Sequence, residues 1–367
     1  MDDDGRIGLL VQGDRDQILR SWETLDRQPV DWDLPDVPEN LGPRPQTTVA
    51  REVSVQGPGT FLGKAIRTIT LCPTDLQGWW LDRADLPETL PIRVSIRNVW
   101  TTGAVVSNIV LRSGLPSNYV RMVEHIVALR MGSGIDNLLI RLDSGDPPLF
   151  ERGSMDLLDA LDQAGVRTLD RPNRCFTVRE RVTIGGPNGS FLSLAPPRGD
   201  RPHLHLDVAV DFRTAIGRQR IRFPLNRENF RRGAEARTNT SAVKKLYCQT
   251  VGRVFADIRN LGYNRRNILI ASRWGYLNEA RLVHQGKSLE AVWHRAVLDL
   301  LAALALVEEG LFCGEVTSYK AGHALDCQMI RHLYRRDLLR PVGPESAGDF
   351  GLGKAKAKSY CPDEVSP

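Results

Sequence analysis

Residues 51–59 read REVSVQGPG, and residues 179–189 read RERVTIGGPNG. Each is an alternating run of the kind that forms a strand, and each enters a Gly-Pro turn. A second strand ending in proline follows in both places, ITLCP at 69–73 and LSLAPP at 192–197. Later in each half an apolar helical stretch precedes another strand. In the first half these are 119–131 and NLLIRLD (137–143); in the second they are about 289–309 and GEVTSYK (314–320). Two copies of one strand-rich unit give an α+β fold of two similar domains. Each is expected to be a β-sheet layered on helices, with the junction near 165–173. Two such domains bury a cleft between them, where ligand sites tend to lie.

The repeat sets the remaining boundaries. Residues 1–46 read as an N-terminal extension, with one helix in DRDQILRSWETLDRQ and a Pro-rich linker in PVDWDLPDVPENLGPRPQ. The first domain then covers 47–170 and the second 171–340, and the polar tail 341–367 is expected to be disordered. With 41% apolar and 25% charged residues, the 367-residue chain has the composition of a globular protein. No apolar run is long enough for a membrane span, and the acidic start MDDDGRIGLLVQGD lacks a secretory core, so a cytoplasmic location is expected. Six cysteines without a CxxC pair read as reduced thiols, not as a disulfide framework or thiolate zinc site. The net charge of +5 suits an anionic partner without requiring nucleic acid. Its densest run, 213–237, reads either as a solvated surface or as a phosphate-facing edge.

Four short stretches carry groups capable of chemistry. In RMVEHIVAL, Glu124 and His125 flank the polar arc of an apolar helix. They are either its solvated face or a base beside a ligand. In LEAVWHRAVLDLLAALAL, His294 and Asp299 are an imidazole and a carboxylate five residues apart, about 140° on an ideal helix. Four is the spacing that stacks two ligands on one face. In SYKAGHALDC, His323 opens a helix after a small-residue turn, a corner where active-site groups are often carried. In GAEARTNTSA, Thr238 is either a helix cap or a hydroxyl donor to an oxyanion. Together they make up a set suited to metal-assisted amide hydrolysis.

In order, GPGTFLGK, VEHIVAL, GIDNLLI, ARTNT, LNEARL, WHRAVLD and YKAGHAL resemble the UDP-3-O-acyl-N-acetylglucosamine deacetylases of bacterial lipid A synthesis. The resemblance runs from about Thr47 to Leu339. It implies two α+β domains with the active site between them, a catalytic zinc ion, and removal of acetate from a UDP-linked acylated amino sugar. Carried over by position, His125, His294 and Asp299 would bind zinc and Glu124 would be the general base. His323 would be the acid, Thr238 would support the oxyanion, and Arg295 would contact substrate where the family has lysine. Peripheral contact with membrane lipid through the acyl chain is implied as well. Nucleic acid is not expected, and the oligomeric state is left open.

Several positions depart from the family pattern. His294 and Asp299 are five apart where the family has four, Ala303 replaces a second aspartate, Phe61 replaces a histidine, and Arg266 replaces an aspartate. His294 and Asp299 can meet one metal only if the helix absorbs an extra residue, so a π-bulge between Trp293 and Asp299 is expected. The alternative is a non-catalytic homologue that binds an anionic lipid, a nucleotide or a protein partner.

Overall fold

The computed structural model describes residues 4–60, 65–103, 107–199, 201–241 and 264–342. The turn with Phe61 and the tail beyond residue 342 lie outside them; Pro341 and Val342 end the strand Leu339–Val342.

The repeat is visible in strand order. In one sheet Val53–Pro58 pairs antiparallel with Ile66–Cys72, which pairs antiparallel with Leu138–Leu142. That strand runs parallel to Trp79–Arg83, which pairs antiparallel with Ile92–Arg93. In the other sheet Val182–Gly185, Phe191–Ala195, Gly314–Tyr319, Leu204–Asp211 and Arg218–Pro224 follow the same sequence of antiparallel, antiparallel, parallel and antiparallel pairings. The two GP-containing stretches therefore begin equivalent hairpins. The helices preceding Leu138–Leu142 and Gly314–Tyr319 also occupy corresponding places. They meet between the sheets, and buried residues of both halves join in one hydrophobic core.

The N-terminal stretch is more than an appendage. Leu9–Gln12 pairs with Val182–Gly185 at one edge of the larger sheet, and Trp32–Asp33 pairs with Arg218–Pro224 at the other. Both edges, which would otherwise expose unpaired backbone groups, are thereby covered. Between these strands the helix Arg15–Arg27 buries Ile18 and Leu25 in a cluster with Ile7, Phe191, Ala209 and Tyr319. Only two fully buried apolar side chains, seven residues apart in a charged helix, carry that packing, so the sequence pattern was faint. The expected junction at 165–173 is itself paired, since Val166–Pro172 lies antiparallel to Pro45–Val49.

The first-half helix is shorter than the span 119–131. Tyr119–Val120 pairs as a strand with Val110–Arg112, and Met122 sits at φ 49°, where a right-handed helix cannot continue. Helix follows in two short pieces, Glu124–Val127 and Leu129–Gly132. The second-half helix is continuous but changes pitch: α-helical over Glu290–Trp293, π-helical over His294–Leu300, and α-helical again over Leu301–Leu304. The expected widening is therefore present.

The helix Arg227–Ala234 approaches this bulged helix closely. A Cβ built on Gly233 would lie 2.2 Å from Cγ2 of Val297, inside the π-helical stretch. Gly233→Ala is expected to destabilise the fold by about 1–3 kcal/mol through overpacking. Urea unfolding measures it, and an unchanged midpoint would show that the two helices yield freely.

Candidate active site

The bulged helix is held by buried arginines at its start, middle and end. At its start Glu290, fully buried, accepts from Arg237 Nε at 2.6 Å and Nη2 at 3.0 Å. Glu290 also accepts the backbone N–H groups of Arg237 and Arg281. Arg237 immediately precedes Thr238, so this pair fixes Thr238 against the first turn of the helix that carries His294. At the far end Arg130 donates to the carbonyls of Ala305 and Val307 at 2.6 and 2.7 Å, satisfying acceptors that the helix leaves open. Burial pushes the Arg130 guanidinium down to about 10. Arg130 lies five residues beyond His125, so it also ties the two half-chains' helices together.

These supports bring the proposed residues to one place. His125 Nε2 lies 3.1 Å from Thr238 Oγ1, which lies 3.1 Å from His294 Nε2, and the two ring nitrogens are 3.3 Å apart. Asp299 Oδ1 lies 3.4 Å from His294 Nδ1 and 3.3 Å from His323 Nε2. The π-helical segment makes the first of these contacts possible, because its i→i+5 geometry returns Asp299 to the face of His294. His323 opens the helix His323–Arg335 behind an extended Gly322, as the corner motif led us to expect. Glu124 is buried, and its Oε2 accepts the N–H of Ile109 at 3.0 Å. Ser154 Oγ donates to the carbonyl of His125 and steadies that turn. Met122, Ile126, Leu149, Phe150 and Leu157 line a narrow apolar crevice beside His125.

Burial and mutual charge set the electrostatics. Burial, then His294, pushes His125 down to about 3. Burial is the largest single effect on His294 and lowers it, but Asp299, Glu124 and Glu290 together outweigh burial and leave that imidazole raised. Asp299 is opposed by burial, yet His294 and His323 hold it well below the usual carboxylate range. Glu124 is raised by burial, against the pull of His323.

A family model for UDP-3-O-acyl N-acetylglycosamine deacetylase matches residues 46–335. The chain belongs to this deacetylase family. Proteins named UDP-3-O-acyl-N-acetylglucosamine deacetylase from Brucella ovis and Brucella melitensis are each 27% identical to it over 292 residues, covering 78% of this chain and 94% of theirs. The extension that closes the sheet edges lies outside the deacetylase match.

Within the deacetylase fold, Arg295 is the predicted site residue that does not join the cluster. It is buried, and its Nη2 donates to Asp326 Oδ1 at 2.7 Å and to Ser318 Oγ at 3.0 Å. The position expected to contact substrate is committed to an internal ion pair. The basic run 213–237 is similarly engaged: Arg220 with Asp207, Arg222 with Asp33, Arg227 and Arg231 with Asp162, Arg237 with Glu290. Most of the run is therefore ion-paired: Arg220 and Arg237 are buried, whereas Arg218 and Arg227 keep exposed side chains on the surface. Ala303 is buried and brings no acid to His323. Arg237, Glu290 and Asp326 were not singled out from the sequence as site residues. Their spacing carried a signal, with Glu290 four residues before His294 and Asp326 three after His323. Cys72, Cys175, Cys313 and Cys327 are buried free thiols.

The donor chemistry fits a zinc ion. Tetrahedral zinc with ligands at about 2.0–2.1 Å has ligand–ligand edges of about 3.3–3.4 Å, and the His125–His294 edge is 3.3 Å. Asp299 Oδ1 is buried without hydrogen-bond geometry to either imidazole, leaving an acceptor for a cation. The carboxylate stands on the Nδ1 side of His294, opposite the Nε2 edge. Accordingly, no three His, Cys, Asp or Glu residues among the described ones are gathered around a single metal position.

Proposed function

We propose that the chain is a zinc-dependent amidohydrolase that removes the N-acetyl group of a UDP-3-O-acyl-N-acetylglucosamine-type substrate in lipid A biosynthesis. The observation that carries this reading is the triangle of His125 Nε2, His294 Nε2 and Thr238 Oγ1, with edges of 3.1–3.3 Å, in a chain of the deacetylase family. His125, His294 and Asp299 would hold the zinc ion. When bound, it polarises the acetyl carbonyl and lowers the pKa of a water molecule. Glu124 takes the proton of the attacking water at its carboxylate. Thr238 donates its hydroxyl hydrogen to the oxygen of the tetrahedral centre. His323, whose Nε2 lies 3.3 Å from the Asp299 carboxylate, gives a proton to the departing glucosamine nitrogen. Arg295 supports its helix without touching substrate. The substrate would be met in the cytoplasm, with its acyl chain next to apolar surface. No helix among the described residues is long and apolar enough to cross a membrane.

One observation favours a second reading, a homologue that binds without catalysis: Asp299 approaches Nδ1 of His294 instead of the Nε2 edge. Metal analysis of the purified chain together with acetate release from the UDP-sugar separates the two. About one zinc per chain with turnover is expected. A metal-free chain that still binds the UDP-sugar without hydrolysing it would establish the second reading.

A further inference from the structure

The extension outside the family match does more than cover sheet edges. It forms one side of a cavity of about 380 Å³, lined by Thr24, Arg27, Gln28, Pro29 and Asp31 from the extension and by Arg218 and Lys287 from the domain. That volume falls within the range of small-ligand sites. Three cationic side chains and one carboxylate line it. Asp31 is already fully used: Oδ1 accepts from Lys287 Nζ at 2.6 Å, and Oδ2 accepts the backbone N–H of Arg220 at 2.8 Å.

The two remaining cations are held only loosely. Arg27 reaches Glu23 at 3.4 Å, and Arg218 reaches Asp211 at 3.4 Å, with both guanidiniums more than half exposed. Exposed pairs of this kind are worth about 0–1 kcal/mol, less than a bidentate guanidinium–phosphate contact. Either arginine can therefore turn to a ligand at little cost. The helix Arg15–Arg27 ends here, and its terminal carbonyls would repel an anion. Arg220 removes most of that repulsion from beneath by donating to the carbonyls of Leu25 and Gln28. Gln28 is buried, with 8% of the residue exposed, and neither its amide oxygen nor its nitrogen has a hydrogen-bond partner. Such a buried amide in the lining of a charged cavity is costly unless a ligand or water satisfies it.

We infer that this cavity binds a small phosphorylated molecule, with Arg27 and Arg218 on the phosphate and the Gln28 amide on its polar body. The site is separate from the histidine cluster and does not depend on the function proposed above. Calorimetric titration of the full chain with inorganic pyrophosphate and with uridine monophosphate tests it, with uridine as the uncharged control. Saturable binding of both phosphates is expected. Arg27→Ala and Arg218→Ala should each weaken it roughly tenfold, about the weight of one charge-assisted hydrogen bond. Gln28→Leu should weaken uridine monophosphate more than pyrophosphate. Absence of saturable binding would overturn the inference. So would binding that neither arginine substitution changes, which would place the anion elsewhere, or uridine binding as tightly as its monophosphate.

Discussion

Arg295→Met alone is expected to lower the unfolding free energy by about 3–5 kcal/mol, the usual cost of removing one partner from a buried ion pair. The other partner, Asp326, is fully buried and shares its Oδ1 with no other cation among the described contacts. With Arg295 gone, a carboxylate would remain in the core near His323. Asp326 is already raised by burial despite the opposing pull of Arg295 and His323, so losing the guanidinium raises it further. A raised carboxyl binds its proton more tightly when folded than when unfolded, so stability falls as pH rises from the unfolded pKa through the folded one. The deficit of the variant should therefore shrink in mild acid, where protonated Asp326 no longer carries an unpaired charge. Arg295→Met combined with Asp326→Leu should recover most of the loss, because apolar replacement of a whole buried pair is often neutral or stabilising. Urea unfolding of wild type, Arg295→Met, Asp326→Leu and the double variant at two pH values gives the cycle. If the single and double substitutions cost the same, the pair is not the element that holds the middle of the bulged helix.

The fold was legible because its signal was repeated. Two strand-turn-strand stretches and two helix-strand stretches in the same order are hard to produce except by two copies of one unit. The sheets pair in that order to the last strand compared. What the sequence concealed were contacts between distant residues. Arg237 and Glu290 are 53 positions apart, and Arg220 and Asp207 are partners across neighbouring strands, so a run of arginines looked free when most were engaged. Met122 shows the limit from the other side: its apolar neighbours fit a helix from Tyr119 onward, but a single left-handed residue ends that possibility. The bulge was different. Its prediction came from a conflict between a five-residue spacing and the need for both side chains to reach one metal, and the π-helical stretch begins at His294 itself. The histidines and Thr238, which the structure brings close together, stood out in the sequence by chemistry and order, while the buried arginines around them, silent in local pattern, did not.

Glu124→Gln is expected to lower kcat by about 10²–10⁴-fold, the range for losing a general acid or base, while leaving KM and zinc content close to wild type. Glutamine keeps the shape and can still accept the Ile109 N–H that now bonds Oε2 at 3.0 Å. It cannot take a proton from water. Because the change removes a carboxylate from a site where only 3% of the residue is exposed, the variant should be at least as stable as the parent. A collapse of stability would therefore assign Glu124 to structure, whereas lost turnover in a stable, metal-replete protein assigns it to the chemical step. The pH profile adds an independent reading. Burial raises the Glu124 carboxyl, and a base works only when deprotonated. The acid limb of kcat/KM should accordingly lie above the ordinary glutamate value of about 4.3. His323 opposes that rise by its charge, so replacing His323 with glutamine should move the limb further upward. A limb at or below the ordinary value, or one that stays fixed when His323 is replaced, would remove Glu124 from the role of base even if its own substitution slowed the reaction.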